Sequence, residues 1–315
     1  MGAGWKWERD GEVFFIPSPK PFRFNSFLAR SLPLPLLLSL PLPLQLSSSL
    51  FLSLPLSHSL TSYTHSNTDC WDALSVLDVS PTDPNSVTLI YKRTDELITQ
   101  SGSPDGWNRE HVWPKSYGVG YDGPDTVDLH SLRASDWSVN SCRSNRYYDW
   151  CTATTPGCIS PAHHEVAHLA ADETGRKTPP GELGFFMPPS AVRGDLARSV
   201  FYMATRYDGA EDGTEDLAVS DCPCLSSATM GKLSTLLEWH RNDPPDAAEI
   251  ERTNRLCMDY QGNRNPYIDH PDLAEAVFGG IDTASACPVC PEVRAKRTRD
   301  KETERGESER GIEII

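Results

Sequence analysis

The sequence predicts an α+β fold, mainly helical with a few short strands, and three observations predict it. Several segments late in the chain repeat apolar residues at helical spacing. Ahead of them, two short strand-like runs separated by loop chemistry lead into a helix between residues 110 and 148. The composition also changes at both ends: residues 19–62 are dominated by Leu, Pro and Ser, and 292–315 are largely charged. One domain of ordinary enzyme size therefore occupies 66–290. It lies between a low-complexity extension at 1–65 and a tail at 291–315 expected to be disordered.

In chain order, Thr68 is placed to cap a short helix over 69–77, where Trp71, Leu74 and Leu77 recur at three-residue steps. Turn chemistry fills 80–85, and the apolar run 87–91 reads as a buried strand. After a loop at 102–106 come a short strand at 110–113, another loop at 114–124 and a second short strand at 128–132. Ser135 or Asp136 is placed to cap a helix running toward Tyr148. Residues 151–189 are rich in Pro, Gly and Thr and read mostly as loop. Ser190 then caps a helix with Val192, Leu196, Val200, Met203 and Tyr207 on one face, closed by Gly209. Two more helices are expected near 226–241 and 247–260, the first burying Leu233, Leu236, Leu237 and Trp239. A last short helix covers 272–278.

The net charge is −15; with residues 1–65 at +2 and the tail balanced, 66–290 carries −17. An acidic body argues against a plain nucleic-acid binder, which neutralises phosphates with Lys and Arg. Work on a nucleic acid would need a local basic cleft or strong reliance on cations. Lys20, Arg23 and Arg30 precede the Leu/Pro run 33–40, imitating the charged and apolar regions of a secretory signal. A signal or targeting segment, a low-complexity extension and a wrongly chosen start codon are the readings open. Proline every few residues breaks a spanning helix, and no run reaches the ~20 apolar residues a crossing needs, so no stable membrane insertion is expected.

All nine cysteines fall within 66–290, among them the close pairs Cys222/Cys224 and Cys287/Cys290. They imply disulfides, and with them secretion or another oxidising compartment, organelle targeting being the alternative. A structural zinc site at the two close pairs is the other reading, although they lack a zinc-finger spacing. The odd count leaves a thiol free or paired outside the chain. Protein partners are left open by the sequence, and a monomer is expected.

Trp107-Asn108-Arg109-Glu110-His111-Val112-Trp113-Pro114-Lys115-Ser116 is the segment richest in chemistry. Phosphodiester hydrolysis requires an activated water, a cation to offset phosphate charge and stabilisation of the departing oxygen. A histidine near neutrality supplies the base, and a neighbouring carboxylate suits Mg²⁺. In a flat strand Glu110 and His111 face opposite sides, so both serve one site only if they flank the phosphate or the strand bends. Taken alone, a satisfied structural histidine is the better reading.

Downstream come Asp128-Leu129-His130-Ser131-Leu132-Arg133, then Val139-Asn140-Ser141-Cys142-Arg143-Ser144-Asn145, with further motifs at 193–203, 236–240 and 260–271. Taken in order across nearly all of 66–280, these motifs resemble the endonuclease I family, the bacterial extracellular or periplasmic nucleases. That family belongs to the group with a ββα-metal (His-Me) finger, which matches the strand, loop, strand, helix order. The resemblance implies a metal-dependent endonuclease that hydrolyses DNA, with RNA as a further substrate, to 5′-phosphate and 3′-hydroxyl ends. It implies His111 as general base on water, Glu110 as metal ligand and Asn140 as second ligand through its side-chain oxygen. Mg²⁺ is the implied cofactor, with Mn²⁺ or Ca²⁺ as substitutes. Contacts to the sugar-phosphate backbone specify little about bases, so a sequence-tolerant cutter is expected.

Arg133 and Arg143, close in sequence to Asn140, are expected to clamp phosphate or product in catalysis. Arg109, Asn145, Arg193 and His130 are supporting candidates. His130 either orients the base or is buried, and Arg193-Gly194-Asp195 also reads as an internal ion pair setting a helix start. Residues 263–270 read as a turn bonded onto the core. Ser131 stands where the family commonly has Asn, and Ala134 where it commonly has Pro; neither should supply a ligand.

Two rival readings come from other classes. His164-Glu165-Val166-Ala167-His168 fits the H-E-x-x-H pattern of zinc metallopeptidases. Position 171 is Ala where the longer pattern has Gly, and no apolar helix surrounds the motif. The other rival is a catalytically inactive, nuclease-like binding or secreted structural domain. The joint presence of Glu110, His111 and Asn140, and the acidic core, argue against it.

Overall fold

A computed structural model describes residues 5–9, 12–16, 69–152, 154–159, 175–177, 184–223 and 228–281. The chain divides into two units, Met1–Pro55 and Leu56–Ile315. In the first, β1 (Trp5–Arg9) and β2 (Glu12–Ile16) pair antiparallel, with Trp5 opposite Ile16 and Trp7 opposite Phe14. The low-complexity reading of 1–65 did not anticipate this hairpin.

In the second unit, α1 (Cys70–Leu77) begins at Asp69. Its carboxylate accepts from the Trp71 and Asp72 N–H groups, while Asp72 accepts from the Asp69 N–H. This reciprocal cap replaces the one expected from Thr68. β3 (Ser86–Thr88) and β4 (Asp95–Leu97) pair antiparallel. The strand expected over 87–91 stops at Thr88 because the Leu89 N–H turns to Thr94 and the Ile90 N–H to Ala134. Ile90 and Tyr91 are thereby carried into the interior.

β5 (Trp107–His111) and β6 (Leu132–Asp136) form an antiparallel ribbon with Glu110 opposite Arg133 and His111 opposite Leu132. Both strands are displaced from their expected places, β6 by four residues. Residues 128–131 make a turn instead, with the Ser131 N–H on the Asp128 carbonyl and the His130 N–H on Asp128 Oδ1. α2 (Trp137–Arg143) is capped by Asp136, as expected, and ends well before Tyr148. Ser144, at φ 51°, stops it.

β7 (Tyr147–Tyr148) takes the end of the expected helix, and the span read mostly as loop holds β8 (Cys158–Ile159), β9 (Gly175–Lys177) and β10 (Phe185–Met187). They form one sheet in the order β7-β10-β9-β8. Strands of two or three residues are too short for a period to register. A 3₁₀ turn at Ser190–Val192 leads into α3 (Arg193–Arg206). β11 (Ala218–Val219) and β12 (Thr229–Met230) pair parallel. α4 (Leu233–Asn242) starts seven residues later than expected. α5 (Ala247–Arg255) gives way to a wider π-type turn at Leu256–Gln261. α6 (Pro266–Asp269) and α7 (Leu273–Phe278) close the described fold.

Two apolar clusters hold these elements. The larger packs Leu196, Val200, Phe201 and Met203 of α3 against Leu233, Leu236 and Trp239 of α4, with Tyr267 and Phe278. The smaller joins Ala73 and Leu74 of α1 to Trp107, Leu132, Ala134 and Leu256. The segment from Trp107 to Trp113 reaches both, with Trp107 in the smaller cluster and Val112 and Trp113 in the larger, where Val139 of α2 joins them. The chemically rich segment is thus clamped from both sides.

Cys151 and Cys158 form a disulfide. Cys222 is also disulfide-bonded, which removes it from the zinc reading of the close cysteine pairs. Cys224, Cys287, Cys290 and the H-E-x-x-H motif at 164–168 lie outside the described residues. Among the described residues no helix is long and apolar enough to cross a membrane.

The cap of α2 carries a first prediction. Burial pushes the Asp136 carboxyl up, but the Val139 N–H and the Lys92 ammonium outweigh it and hold the group below the usual carboxylate range. Asp136→Ala should cost about 1–2 kcal/mol in urea unfolding at pH 7. Because the folded pKa is depressed, the wild-type advantage over Asp136→Ala is full above ~4, near the free carboxyl value, and fades as pH falls through the folded value. A constant difference down to strong acid would contradict the ionised cap.

Candidate active site

Alternation along β5 turns Asn108 and Glu110 to one face and Arg109 and His111 to the other. Glu110 is 1% exposed. Its Oε1 accepts from the Tyr91 hydroxyl at 2.6 Å and from Arg143 Nη1 at 2.8 Å. Tyr91 and Tyr148 are 2.7 Å apart through their hydroxyls. With the Tyr91 proton committed to Glu110, Tyr148 is the donor in that pair. Burial pushes the Glu110 carboxyl up, while Arg143 and the Tyr91 hydroxyl pull against it. Both bonds fall on Oε1 and neither on Oε2.

His111, at the end of β5, is half-buried. Its Nε2 lies 3.1 Å from the Thr126 carbonyl, an atom that only accepts, so Nε2 carries the ring proton and Nδ1 the lone pair. Burial first, then Lys115, push the imidazole down to about 3, and the Thr126 carbonyl opposes them. The ring is therefore neutral in neutral solution, the form a general base must have. Glu110 and His111 do point to opposite faces, as alternation requires.

The loop that aims His111 has its own tension. The Thr126 N–H bonds Asp125 Oδ1 at 3.0 Å and the Thr126 hydroxyl bonds the Gly120 carbonyl. Asp125 is 1% exposed, and its Oδ2 has no hydrogen-bond partner among the described residues. Burial, with Asp128 and Glu211 adding, pushes its carboxyl up to about 6 against two backbone hydrogen bonds. Between ~4 and about 6 the folded chain keeps a proton that the unfolded chain has released, so stability falls as pH rises through that window. Asp125→Asn should therefore raise the urea midpoint at pH 8 and change it little at pH 4. An equal shift at both pH values would count against an ionised, unpaired carboxylate.

Asn140 reaches back from α2 to β5. Its Nδ2 donates to Asn108 Oδ1 at 2.7 Å and lies 3.4 Å from the Arg109 carbonyl. Glu110 and Asn140 thus flank the same short stretch of β5. Among the described residues no group of three or more His, Cys, Asp or Glu side chains is placed to hold a metal. A Glu and Asn pair is a sparser donor set, all oxygen.

The arginines are arranged differently from the expectation. Arg143 is 1% exposed, bonds Glu110 and the His111 and Val112 carbonyls at 2.8 Å each, and lies over the Tyr148 ring. These contacts hold the guanidinium inside the protein, where it braces β5 and its exit. Arg133 donates from Nη1 to the Leu129, His130 and Leu132 carbonyls. Burial and the neighbouring Arg252 push it down to about 10, still protonated at neutral pH. Arg109 lies 4.3 Å over the Trp71 ring, beside the site.

Other supporting candidates are not gathered here. His130 packs against Tyr202, and its Nε2 is buried without a partner among the described residues. Asn145 is exposed and offers its carbonyl to Tyr117. Arg193 lies across Trp150 and bonds the Pro188 carbonyl. Near the start of α3, Arg198 pairs with Asp195 and with Glu249. Sequence reasoning missed Tyr91, Asn108, Thr126 and Tyr148. Asn108 stands in the richest motif and could have been weighed; the others join the site only through the fold.

Over 224 residues the chain is 38% identical to an extracellular ribonuclease of Bacillus amyloliquefaciens, spanning 70% of each protein. The extracellular ribonuclease of Bacillus subtilis (strain 168) matches to the same extent. An extracellular deoxyribonuclease of Aeromonas hydrophila is 29% identical over 143 residues, 45% of this chain and 49% of that protein. An α+β fold with these relatives places the chain among the nucleases, hydrolases that act on nucleic acids. It belongs to the endonuclease I family, whose sequence model matches residues 53–272.

Proposed function

We propose that this protein is a secreted, divalent-metal-dependent, sequence-tolerant endonuclease that cuts both DNA and RNA, leaving 5′-phosphate and 3′-hydroxyl ends. The observation that carries the reading is the neutral His111 ring, tied through Nε2 to Thr126, on the strand that also bears Glu110. The extracellular ribonuclease and deoxyribonuclease relatives support both substrates. The Cys151–Cys158 disulfide supports an oxidising compartment.

The residues fit Mg²⁺. Glu110 has one carboxylate oxygen taken by Tyr91 and Arg143 and the other left, and Asn140 has its amide nitrogen committed to Asn108. Glu110 Oε2 and Asn140 Oδ1 would hold the ion, which favours oxygen donors and keeps several waters. Bound there, it supplies charge neutralisation at the phosphate and at the departing oxygen. His111 Nδ1 takes the proton from the attacking water. Thr126 keeps the ring in the tautomer that allows this, and an anionic phosphate alongside raises the base strength of the imidazole. Arg109 provides cationic charge beside the site within an otherwise acidic body.

The test is to incubate the chain with supercoiled plasmid and, separately, a structured RNA, in Mg²⁺ with and without chelator. Both should be cut at many positions, and chelator should stop both reactions. Cutting that persists without free divalent metal would overturn the mechanism, and an intact RNA would remove that half of the substrate range.

A further inference from the structure

We propose that Asn108 is a positioning residue that holds the Asn140 carboxamide so that Oδ1 rather than Nδ2 is presented to a divalent cation shared with Glu110. The inference rests on the metal-dependent reading above. A carboxamide is nearly symmetric in shape, so its orientation is decided by what surrounds it. Two oxygens face Asn140 Nδ2: Asn108 Oδ1 at 2.7 Å and the Arg109 carbonyl at 3.4 Å. The carbonyl cannot donate, so a flipped amide would set oxygen against oxygen there. The carbonyl fixes which end of the Asn140 amide faces β5, and the shorter bond to Asn108, whose own amide turns its oxygen to match, holds it there.

Placement supports the same role. Asn108 and Glu110 are two residues apart on one face of β5, and α2 packs against that strand. One strand therefore carries the carboxylate ligand and the group that orients the amide ligand. Asn108 itself is half-buried and paired in register with Ser135, away from the apolar clusters. Partners that orient metal ligands typically cost about 10–100-fold in metal affinity when removed.

The experiment compares the whole chain with Asn108→Ala and Asn108→Asp, using Mn²⁺ as the probe in titration calorimetry and Mg²⁺ titrations of plasmid nicking. Asn108→Ala should weaken Mn²⁺ binding about 10-fold or more. It should raise the Mg²⁺ concentration for half-maximal rate by a similar factor, with the rate at saturating Mg²⁺ largely retained. Asn108→Asp keeps an acceptor at the same reach and should restore Mn²⁺ affinity. A merely structural residue would lower the thermal midpoint in Asn108→Ala and leave the Mn²⁺ constant of the folded protein unmoved, which overturns the proposal. If wild type binds no Mn²⁺ at all, the metal-dependent reading fails and this inference falls with it. If wild type binds and Asn108→Ala binds equally well, only the role of Asn108 fails.

Discussion

His111→Ala is expected to lower kcat on plasmid by roughly two to four orders of magnitude, the range that a positioned general base contributes. The ring is neutral, its Nε2 proton goes to the Thr126 carbonyl, and Nδ1 carries the lone pair. The change removes the hydrogen bond to the Thr126 carbonyl from a half-buried side chain, a loss of about 1 kcal/mol. Rate and stability therefore separate cleanly. A variant that cuts at a wild-type rate would end the assignment of His111. A variant that simply fails to fold would show in its circular dichroism before any assay.

The second large effect falls on stability. Arg143→Ala should destabilise the fold by about 3–5 kcal/mol, the usual cost of removing one partner from a buried ion pair. Glu110 would remain buried with only Tyr91 on Oε1, and the His111 and Val112 carbonyls would each lose a bond of 2.8 Å. Urea denaturation at pH 7 reads this directly. The result also separates two roles for the same residue. A phosphate clamp in the cleft would lose activity and keep its midpoint, whereas an internal brace loses its midpoint first. Arg143→Lys should recover part of the loss, since it restores the charge but not the fork that reaches three acceptors.

Some of this was legible from the chain alone. The strand that bears Glu110 and His111 and the helix that bears Asn140 were readable because several motifs in order are far more specific than one. The helices α3, α4 and α5 were readable because their apolar positions repeat at helical spacing for two or more turns. Their ends were not. Asp69 took the cap assigned to Thr68, and α4 began at Leu233 rather than near 226. One turn of helix is nearly neutral in free energy, so neighbours decide where it stops.

The displacement of β6 has a more specific cause. Residues 128–132 have a strand-like pattern, yet Asp128 is buried and accepts from the Tyr202 and Tyr207 hydroxyls and from Gln261. Those partners lie more than seventy residues downstream. A buried carboxylate satisfied by them is worth more than a few residues of strand pairing, and it bends the chain into a turn.

The same reasoning sets the limits of the site. By itself the sequence placed a carboxylate and an imidazole on one strand and a carboxamide on the helix that follows, and it did so through the ordered motifs that resemble the endonuclease I family rather than through any one of those residues. Only the tertiary structure decided which oxygen of Glu110 is taken, which nitrogen of His111 is basic, and that Arg143 is turned inward. Each of those outcomes depends on a partner from a distant segment: Tyr91, Thr126 or the carbonyls of β5 and its exit. A local pattern names the reactive group, but hydrogen bonds between distant segments assign its protons, and proton positions decide what the group can do.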